Sequence, residues 1–256
     1  MTDSCEMCGL GRTAGCGASL SSLLGIGAKS RVAVFGCGGK TSLIGILADE
    51  NRDKKVLISP TTKIMPPAGE GIALLASRES AAAHRPAAGI QCMGVLDRAT
   101  GKLKALPEED MAALVPGYDV VLMEADGSRG LPCKGWNERD PVIPAFTTHS
   151  VGVLSIRALG LPADDDHVFR LPLFLDMTGL RQGDVITLQA LAMMAVSPAG
   201  LMRRAAGCAM LVINQADDPD DMKNAAALAS LIRQKNANIA SVIVAGSAIR
   251  NTWQII

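Results

Sequence analysis

VFGCGGKTSLI, residues 34–44, is the stretch that decides the fold of this chain. It joins the apolar run RVAVFG, residues 31–36, which predicts a buried strand, to KTSLIGILAD, residues 40–49, which has the apolar spacing of a helix. A glycine-rich junction between strand and helix has three interpretations. It is a dinucleotide fingerprint, a phosphate-binding loop, or a plain turn with an incidental lysine.

The dinucleotide fingerprint fails on two counts. It requires G-x-G-x-x-G, and here Gly36 and Gly38 fit but Thr41 stands at the third glycine position. It also requires an acid about 20 residues on to hold a ribose hydroxyl, and the next strand instead ends VLISPTT without a carboxylate.

The phosphate-binding loop fits better. Gly38 and Gly39 let backbone N–H groups approach phosphate oxygens, Lys40 supplies a positive charge, and Thr41 supplies a hydroxyl for Mg²⁺. Val34 stands where the standard motif has glycine, which leaves the tighter G-x-x-G-K-T-S form that resembles the loop of Mur-type ligases. The predicted phosphate-binding residues are Gly36, Gly38, Gly39, Lys40, Thr41 and Ser42.

An acidic strand end supports this interpretation. In YDVVLMEADGS, residues 118–128, Glu124 and Asp126 are two apart and share one face of the strand. Phosphoryl chemistry needs a carboxylate for Mg²⁺ or its water, so we predict Thr41 and Glu124 as metal ligands and Lys40, Glu124 and Asp126 as catalytic residues. The alternative is a solvated strand end followed by a turn.

Three further groups of residues are candidates for the site. Thr61 and Thr62 end the second predicted strand and are predicted to sense the terminal phosphate. Arg129 and Lys134 follow the acidic strand end and are predicted to contact a phosphate, an anionic cofactor or a partner. His167 and Arg170 follow three aspartates, in a loop that is either a partner surface or an ordinary exposed polar loop.

Asn214 and Asp217, in LVINQADD, are placed like a guanine-reading motif. Gln215 replaces the lysine that would stack on the base, so the choice between ATP and GTP stays open, and a polar strand end is the alternative.

The whole chain alternates strands with helices, which predicts an α/β fold with a mostly parallel sheet flanked by helices, of the P-loop NTPase type. We expect a flexible Gly/Ser/Cys-rich leader over residues 1–28 and a single nucleotide-binding domain over residues 29–256. The run 90–106 predicts a hairpin, residues 184–206 an interrupted helix, and 239–246 a last strand.

Composition narrows the function classes. Lysine plus arginine and aspartate plus glutamate number 25 each, so no electrostatic footprint for nucleic acid is visible. No apolar run approaches the roughly 18 residues of a membrane span. Seven scattered cysteines and an acidic start without a signal peptide predict a cytoplasmic protein.

The cysteines leave two questions. Cys5, Cys8 and Cys16 could bind a metal, although a fourth ligand is missing. Cys37 and Cys133 are either small fillers or soft thiolates near the nucleotide that suit sulfur or selenium chemistry.

With these motifs assembled, residues 28–248 resemble the selenium-dependent hydroxylase accessory protein family, of the YqeC type. The resemblance lies in the GGKTS loop, SPTTKI (59–64), EADGSRGLPCKGW (124–136) with DPVIP (140–144), and VINQAD (212–217). Ser59-Pro60 and Gln215 depart from the family pattern. The resemblance implies a P-loop nucleotide-binding fold and a role in maturing selenium-dependent molybdenum hydroxylases.

Two functions follow as hypotheses. In the first, a Mg²⁺-dependent NTPase drives maturation of a molybdenum hydroxylase, and the partner is that enzyme or its cofactor intermediate. In the second, the protein is a ligase-like or kinase-like enzyme that transfers a phosphoryl group to a small molecule. A chain of 256 residues has no room for the acceptor domains of Mur-type ligases, which favours the first hypothesis.

Overall fold

The computed structural model describes residues 18–67, 71–236 and 238–256. Within these residues the strands are, in chain order, β1 (Ser30–Gly36), β2 (Lys55–Pro60), β3 (Ile72–Leu75), β4 (Gly89–Met93), β5 (Val95–Asp97), β6 (Lys102–Lys104), β7 (Val120–Glu124), β8 (Cys133–Lys134), β9 (His149–Ser155), β10 (Val168–Phe169), β11 (Cys208–Asn214), β12 (Val242–Ser247) and β13 (Thr252–Ile255). The α-helices are α1 (Leu20–Leu23), α2 (Lys40–Asp49), α3 (Arg78–Ala83), α4 (Glu108–Leu114), α5 (Leu171–Thr178), α6 (Leu188–Val196) and α7 (Pro219–Lys235).

A nine-stranded sheet runs through the molecule in the order β13-β12-β11-β9-β1-β7-β2-β4-β3. Every neighbouring pair is parallel except β12 and β13, which are antiparallel. The prediction of a mostly parallel α/β sheet flanked by helices is therefore confirmed. From β1 the chain builds one half of the sheet and later returns to build the other, so the strand order reverses at β1, where open α/β sheets bind ligands.

The strands are apolar on both faces because each face is covered. Val32, Val34 and Leu122 pack on the α1 and α2 side, whereas Ala33 and Phe35 belong to a second cluster shared with α4, α6 and α7. This alternation follows from the period of two along a strand, and it explains why the central strands show no polar face in the sequence.

Part of the expected leader belongs to this core. Residues 18–28 include α1, whose Leu20 and Leu23 are buried, and the backbone N–H of Leu20 donates to Glu50 of the α2 C-cap at 2.9 Å. In the described part of the chain the domain therefore already includes α1, because its leucines cover one face of the sheet. Residues 1–17 lie outside the described residues.

The predicted bounds of helices and strands agree best with the structure where the apolar pattern of the sequence is strong. Residues 40–49 form α2 and residues 55–60 form β2, as the sequence predicts. The predicted hairpin over 90–106 is wrong in part, because β4 joins the main sheet and only β5 and β6 pair as a hairpin. The predicted break in the helix over 184–206 is confirmed, since α6 ends at the Ser197 C-cap, but the helix begins only at Leu188 and no α-helix follows over residues 198–206.

Candidate functional site

The glycine loop, residues 36–42, connects β1 to α2 at the carboxyl edge of the sheet. Gly38 and Gly39 have φ of +88° and +104°, a region that side chains rarely adopt. A Cβ on Gly38 would lie 2.4 Å from the Ser155 Cβ, and one on Gly39 would lie 2.5 Å from the Asn214 Nδ2. Both positions therefore require glycine, because the ends of β9 and β11 press against the loop.

The first backbone N–H groups of α2 have no acceptors within the helix. The first helical hydrogen bond runs from the N–H of Leu43 to the carbonyl of Gly39 at 3.0 Å. The N–H groups of Lys40, Thr41 and Ser42 lie in the first turn of α2, where no intrahelical acceptor exists. Together with the helix dipole, such groups favour an anion.

Lys40 lies in the hollow of this loop and is only 5% exposed. Its Nζ donates to the carbonyl of Gly36 at 2.7 Å and lies 3.4 Å from the Ser128 hydroxyl. The same Nζ lies 3.5 Å from Asp126 and 3.9 Å from Glu124. The ammonium is thus held against the loop by buried acceptors.

Glu124 ends β7 next to the loop and is buried. The Thr41 hydroxyl donates to its Oε2 at 3.0 Å. Burial raises the pKa of Glu124, and the nearby Lys40 and the Thr41 hydroxyl offset only part of that rise. The structure therefore brings together the two residues predicted as metal ligands, a hydroxyl and a carboxylate.

Asp126 lies behind the loop, fully buried, and does not line the cavity in front of it. Its Oδ1 accepts from the N–H of Gly36 at 2.9 Å, and its Oδ2 accepts from Lys134 at 2.8 Å and from the Trp136 indole at 2.9 Å. All of these contacts support the loop from inside. Asp126 therefore positions the loop and is placed poorly for the predicted catalytic role.

Lys134 also lies inside the protein, although the sequence predicts that it contacts a phosphate, an anionic cofactor or a partner. It is 0% exposed, and its Nζ pairs with Asp126 at 2.8 Å and with Asp140 at 3.1 Å. Burial alone would raise the pKa of Asp140, but hydrogen bonds from Arg170 and the charge of Lys134 outweigh it and lower that pKa. Lys134 is a buried counter-ion, so it reaches no partner or phosphate in this arrangement.

A cavity of about 900 Å³ opens in front of the loop. The predicted site residues that line it are Gly38, Gly39, Lys40, Thr41, Ser42, Thr62, Glu124 and Arg129. The lining residues that sequence reasoning did not place there include Lys63, Lys102, Ser128, Asp140, Phe169 and Arg170. Ser128 and Asp140 lie within the EADGSRG and DPVIP segments and so had a local signal; Phe169 and Arg170 arrive through long-range packing.

Of the two threonines predicted to sense the terminal phosphate, only Thr62 lines the cavity. The Thr62 Oγ1 is buried without a hydrogen-bond partner in the described residues, and Thr62 is one of the residues that line the cavity. The Thr61 hydroxyl donates to the carbonyl of Val142 at 2.7 Å and does not line the cavity. Thr62 is therefore the better placed of the two to meet a phosphate.

Asn214 and Asp217 are not among the residues that line the cavity. The Asn214 Nδ2 donates to the carbonyl of Gly38 at 2.7 Å, and its Oδ1 accepts from the N–H of Ala248 at 3.2 Å. Asp217 accepts from the Ser247 hydroxyl and pairs with Arg157. Asn214 thus ties the loop to the residue that follows β12, and the predicted base-reading role of this pair stays a prediction.

The structure bears on one of the two cysteine hypotheses, the one for Cys37 and Cys133. Cys37 and Cys133 are fully buried, and burial raises the pKa of the Cys37 thiol to about 12, so neither side chain is an accessible thiolate. Cys5, Cys8 and Cys16 lie outside the described residues. In the described ranges, no three His, Cys, Asp or Glu side chains cluster as a metal site, and no helix has the length and apolarity to cross a bilayer.

Comparison with known proteins shows which family the chain belongs to. The model of the family described as YqeC protein matches residues 32–172, which include the glycine loop, Glu124 and Phe169. The chain is 31% identical over 190 residues to the uncharacterized protein YqeC of Escherichia coli strain K12, an alignment that covers 71% of this chain and 74% of that protein. The chain therefore belongs to the YqeC family.

Proposed function

We propose that this protein binds a purine nucleoside triphosphate with Mg²⁺ on the glycine loop and hydrolyses it. The observation that carries the proposal is the arrangement at the start of α2. Helix N–H groups without intrahelical acceptors, the Lys40 ammonium and the Thr41–Glu124 pair all meet one cavity. A strand–loop–helix junction with these groups is the chemistry that holds a polyphosphate.

The residues at the junction fit Mg²⁺. This ion takes oxygen ligands and is commonly held by one or two protein groups together with substrate phosphates. Thr41 and Glu124 offer a hydroxyl and a carboxylate 3.0 Å apart. Bound there, the ion would neutralise charge on the phosphates, while Lys40 and the loop N–H groups orient them.

Glu124 is the side chain best placed to act on water in hydrolysis. It lies at the cavity wall with a raised pKa, whereas Asp126 is enclosed behind the loop. The predicted catalytic set then reduces to Lys40 and Glu124, with Asp126 as a positioning residue.

In the cell we place this activity in the maturation of selenium-dependent molybdenum hydroxylases. This part of the proposal is supported by the resemblance of the EADGSRGLPCKGW segment and by family membership. Deleting the gene should leave such a hydroxylase synthesised but without its selenium-dependent activity, while other molybdenum enzymes stay active. Failure of all molybdenum enzymes would assign the protein to general cofactor synthesis instead, and failure of none would remove the accessory role.

The binding proposal is tested by calorimetry on the full chain. ATP and GTP are titrated separately, each with and without Mg²⁺. We expect one of the two to bind with saturation, and Mg²⁺ to strengthen that binding. Absence of binding by both nucleotides in the presence of Mg²⁺ would overturn the proposal, and the comparison of the two also settles the base preference that Asn214 and Asp217 leave open.

A further inference from the structure

The cavity carries more positive charge than the glycine loop alone supplies. Its cationic lining residues are Lys40, Lys63, Lys102, Arg129 and Arg170, and its acidic lining residues are Glu124 and Asp140. At about 900 Å³ it lies near the upper end of the roughly 300–1,000 Å³ usual for ligand pockets, so it has room beyond a polyphosphate.

Two arginines form a feature separate from the loop. The Arg129 guanidinium carbon lies 4.8 Å from the centre of the Phe169 ring, and that of Arg170 lies 4.7 Å from the same centre. Cation–π contacts of this kind hold a guanidinium in place while leaving its N–H groups free to bind an anion.

The fold fixes this cluster firmly. Phe169 of β10 pairs with Lys134 of β8, and the N–H of Gly135 donates to the carbonyl of Phe169 at 2.9 Å. Asp140 forms ion pairs with both Lys134 and Arg170. The ring and one arginine are therefore anchored to the buried ionic network that supports the glycine loop.

Of the two arginines at Phe169, Arg129 is the one whose charge is not paired with a carboxylate among the described residues. Arg170 has Asp140 as a partner, whereas no ion pair joins Arg129 to a carboxylate among the described residues, and Arg129 is exposed. Both arginines have left-handed backbones, with φ of +55° and +58°. Such strain in residues other than glycine clusters at ligand sites, and here it sits at both ends of one cluster.

We propose that Arg129, Phe169 and Arg170 form a second subsite for a small organic anion that carries a phosphate or carboxylate, bound beside the nucleotide. Arginine N–H groups present a fork that matches such groups in a bidentate way, and the phenyl ring offers an apolar edge to a flat organic body. The nucleotide phosphates are served by the loop on one wall, and the second anion is served by the β7–β8 and β10–α5 connections. The proposal rests on the proposed function for the nucleotide beside this subsite. Binding of the second anion itself does not depend on that function.

The test uses the full chain and phenyl phosphate, a flat phosphate monoester, with phenol as the uncharged control. Each is titrated alone and in the presence of Mg²⁺ with saturating non-hydrolysable analogues of ATP and GTP. We expect saturable binding of phenyl phosphate with and without nucleotide, and none of phenol. Arg129→Ala should weaken phenyl phosphate about tenfold, as loss of a charge-assisted contact predicts, and Phe169→Leu should weaken it less.

Arg139→Ala is the matched control, because Arg139 is exposed and lies outside the cavity lining. It should leave phenyl phosphate binding unchanged. The proposal is overturned if nucleotide displaces phenyl phosphate, if phenol binds equally well, or if Arg129→Ala weakens nucleotide as much as phenyl phosphate. If neither nucleotide binds the parent while Arg129-dependent binding of phenyl phosphate persists, the nucleotide proposal fails and the subsite stands.

Discussion

At the scale of single residues, the candidate site is a chain of alternating charges that begins inside the protein and ends at the cavity. Lys134 lies innermost and pairs with Asp126 and Asp140. Asp126 bridges to Lys40, and Lys40 lines the cavity together with Glu124 and Asp140. A buried carboxylate without a partner is costly, so each acid here is matched by a base. The same groups that hold the loop in place thus also set its charge.

Lys40→Met tests the phosphate role, because it removes the charge and keeps an unbranched side chain of nearly the same length. Nucleotide affinity should fall about tenfold or more, because a charge-assisted contact contributes roughly 1.5–3 kcal/mol. Since Lys40 also pairs with buried Asp126, some loss of stability is expected, although Lys134 and Trp136 still serve that acid. Calorimetry measures the affinity and thermal unfolding shows that the variant is folded.

Lys223→Ala, on the exposed face of α7, is the control for that variant and should bind nucleotide like the parent. A folded Lys40→Met protein with parental affinity would show that the glycine loop is not the phosphate site.

Glu124→Gln tests the acid of the metal pair. Turnover should fall about 100-fold or more while nucleotide affinity falls less, because the lost charge matters most as charge develops in the transition state. Steady-state hydrolysis and calorimetry give the two numbers. Glu138→Gln, an exposed acid outside the cavity lining, should change neither. Equal losses of affinity and turnover in Glu124→Gln would remove Glu124 from the chemistry.

The raised pKa of Glu124 also predicts a pH dependence. A carboxyl group whose folded pKa lies above its unfolded value binds a proton in the folded state across the window between the two, and the fold loses stability as pH rises through that window. Mg²⁺ takes the ionised form, so its binding releases this proton and Mg²⁺-nucleotide affinity should rise with pH through the same window. The nucleotide's own titration is common to parent and Glu124→Gln, so a shallower slope in the variant isolates Glu124. Equal slopes would contradict the assignment.

At the scale of elements, the sequence predicts what is local and misses what depends on packing. β1, the glycine loop and α2 follow from one stretch, because an apolar run, two glycines and helical spacing are neighbours in the chain. The burial of Lys134 could not be predicted, since its partners Asp126 and Asp140 reach it only through the fold. β8 and β10 have two residues each, which is too few to show a strand period. The position of Phe169 beside the cavity could therefore not be predicted from the sequence.

Asn214 illustrates a residue whose role changes once its element is placed. Its position at the end of β11 is what the sequence predicts, but its amide is buried and bonds to the loop carbonyl of Gly38. Asn214→Asp replaces a donor with a carboxylate facing that carbonyl. We expect a loss of about 1–3 kcal/mol in the free energy of unfolding together with weaker nucleotide binding.

Asn51→Asp is the matched control for this variant. Asn51 is equally buried, and its Nδ2 donates to Ser21 and to the carbonyl of Leu47, away from the cavity. It should lower stability without changing nucleotide affinity. Chemical unfolding and calorimetry on both variants make the comparison. If both variants bind nucleotide like the parent, the Asn214 link does not shape the loop.

At the scale of the whole molecule, the glycine loop lies where the two halves of the sheet meet. β7 and β9 flank β1, and Ser155 of β9 and Asn214 of β11 press against Gly38 and Gly39. A ligand on the loop therefore touches a structure that depends on both halves. Binding there should stabilise global folding and not just the loop.

That coupling gives a whole-molecule prediction. A ligand that binds only the native state at about 100 times its Kd adds roughly 2.7 kcal/mol to the stability. For a domain of this size, each kcal/mol raises Tm by about 2–4 °C, so Mg²⁺ with the preferred nucleotide should raise Tm by roughly 5–10 °C. Differential scanning calorimetry of the parent measures the shift, and Lys40→Met under the same conditions should lose about half of it or more. A single transition that moves as a unit is the expected form, because the loop is braced by strands of both sheet halves. A nucleotide that binds by calorimetric titration but leaves Tm unmoved would mean that it binds the unfolded chain equally well, and the loop would then not be its site.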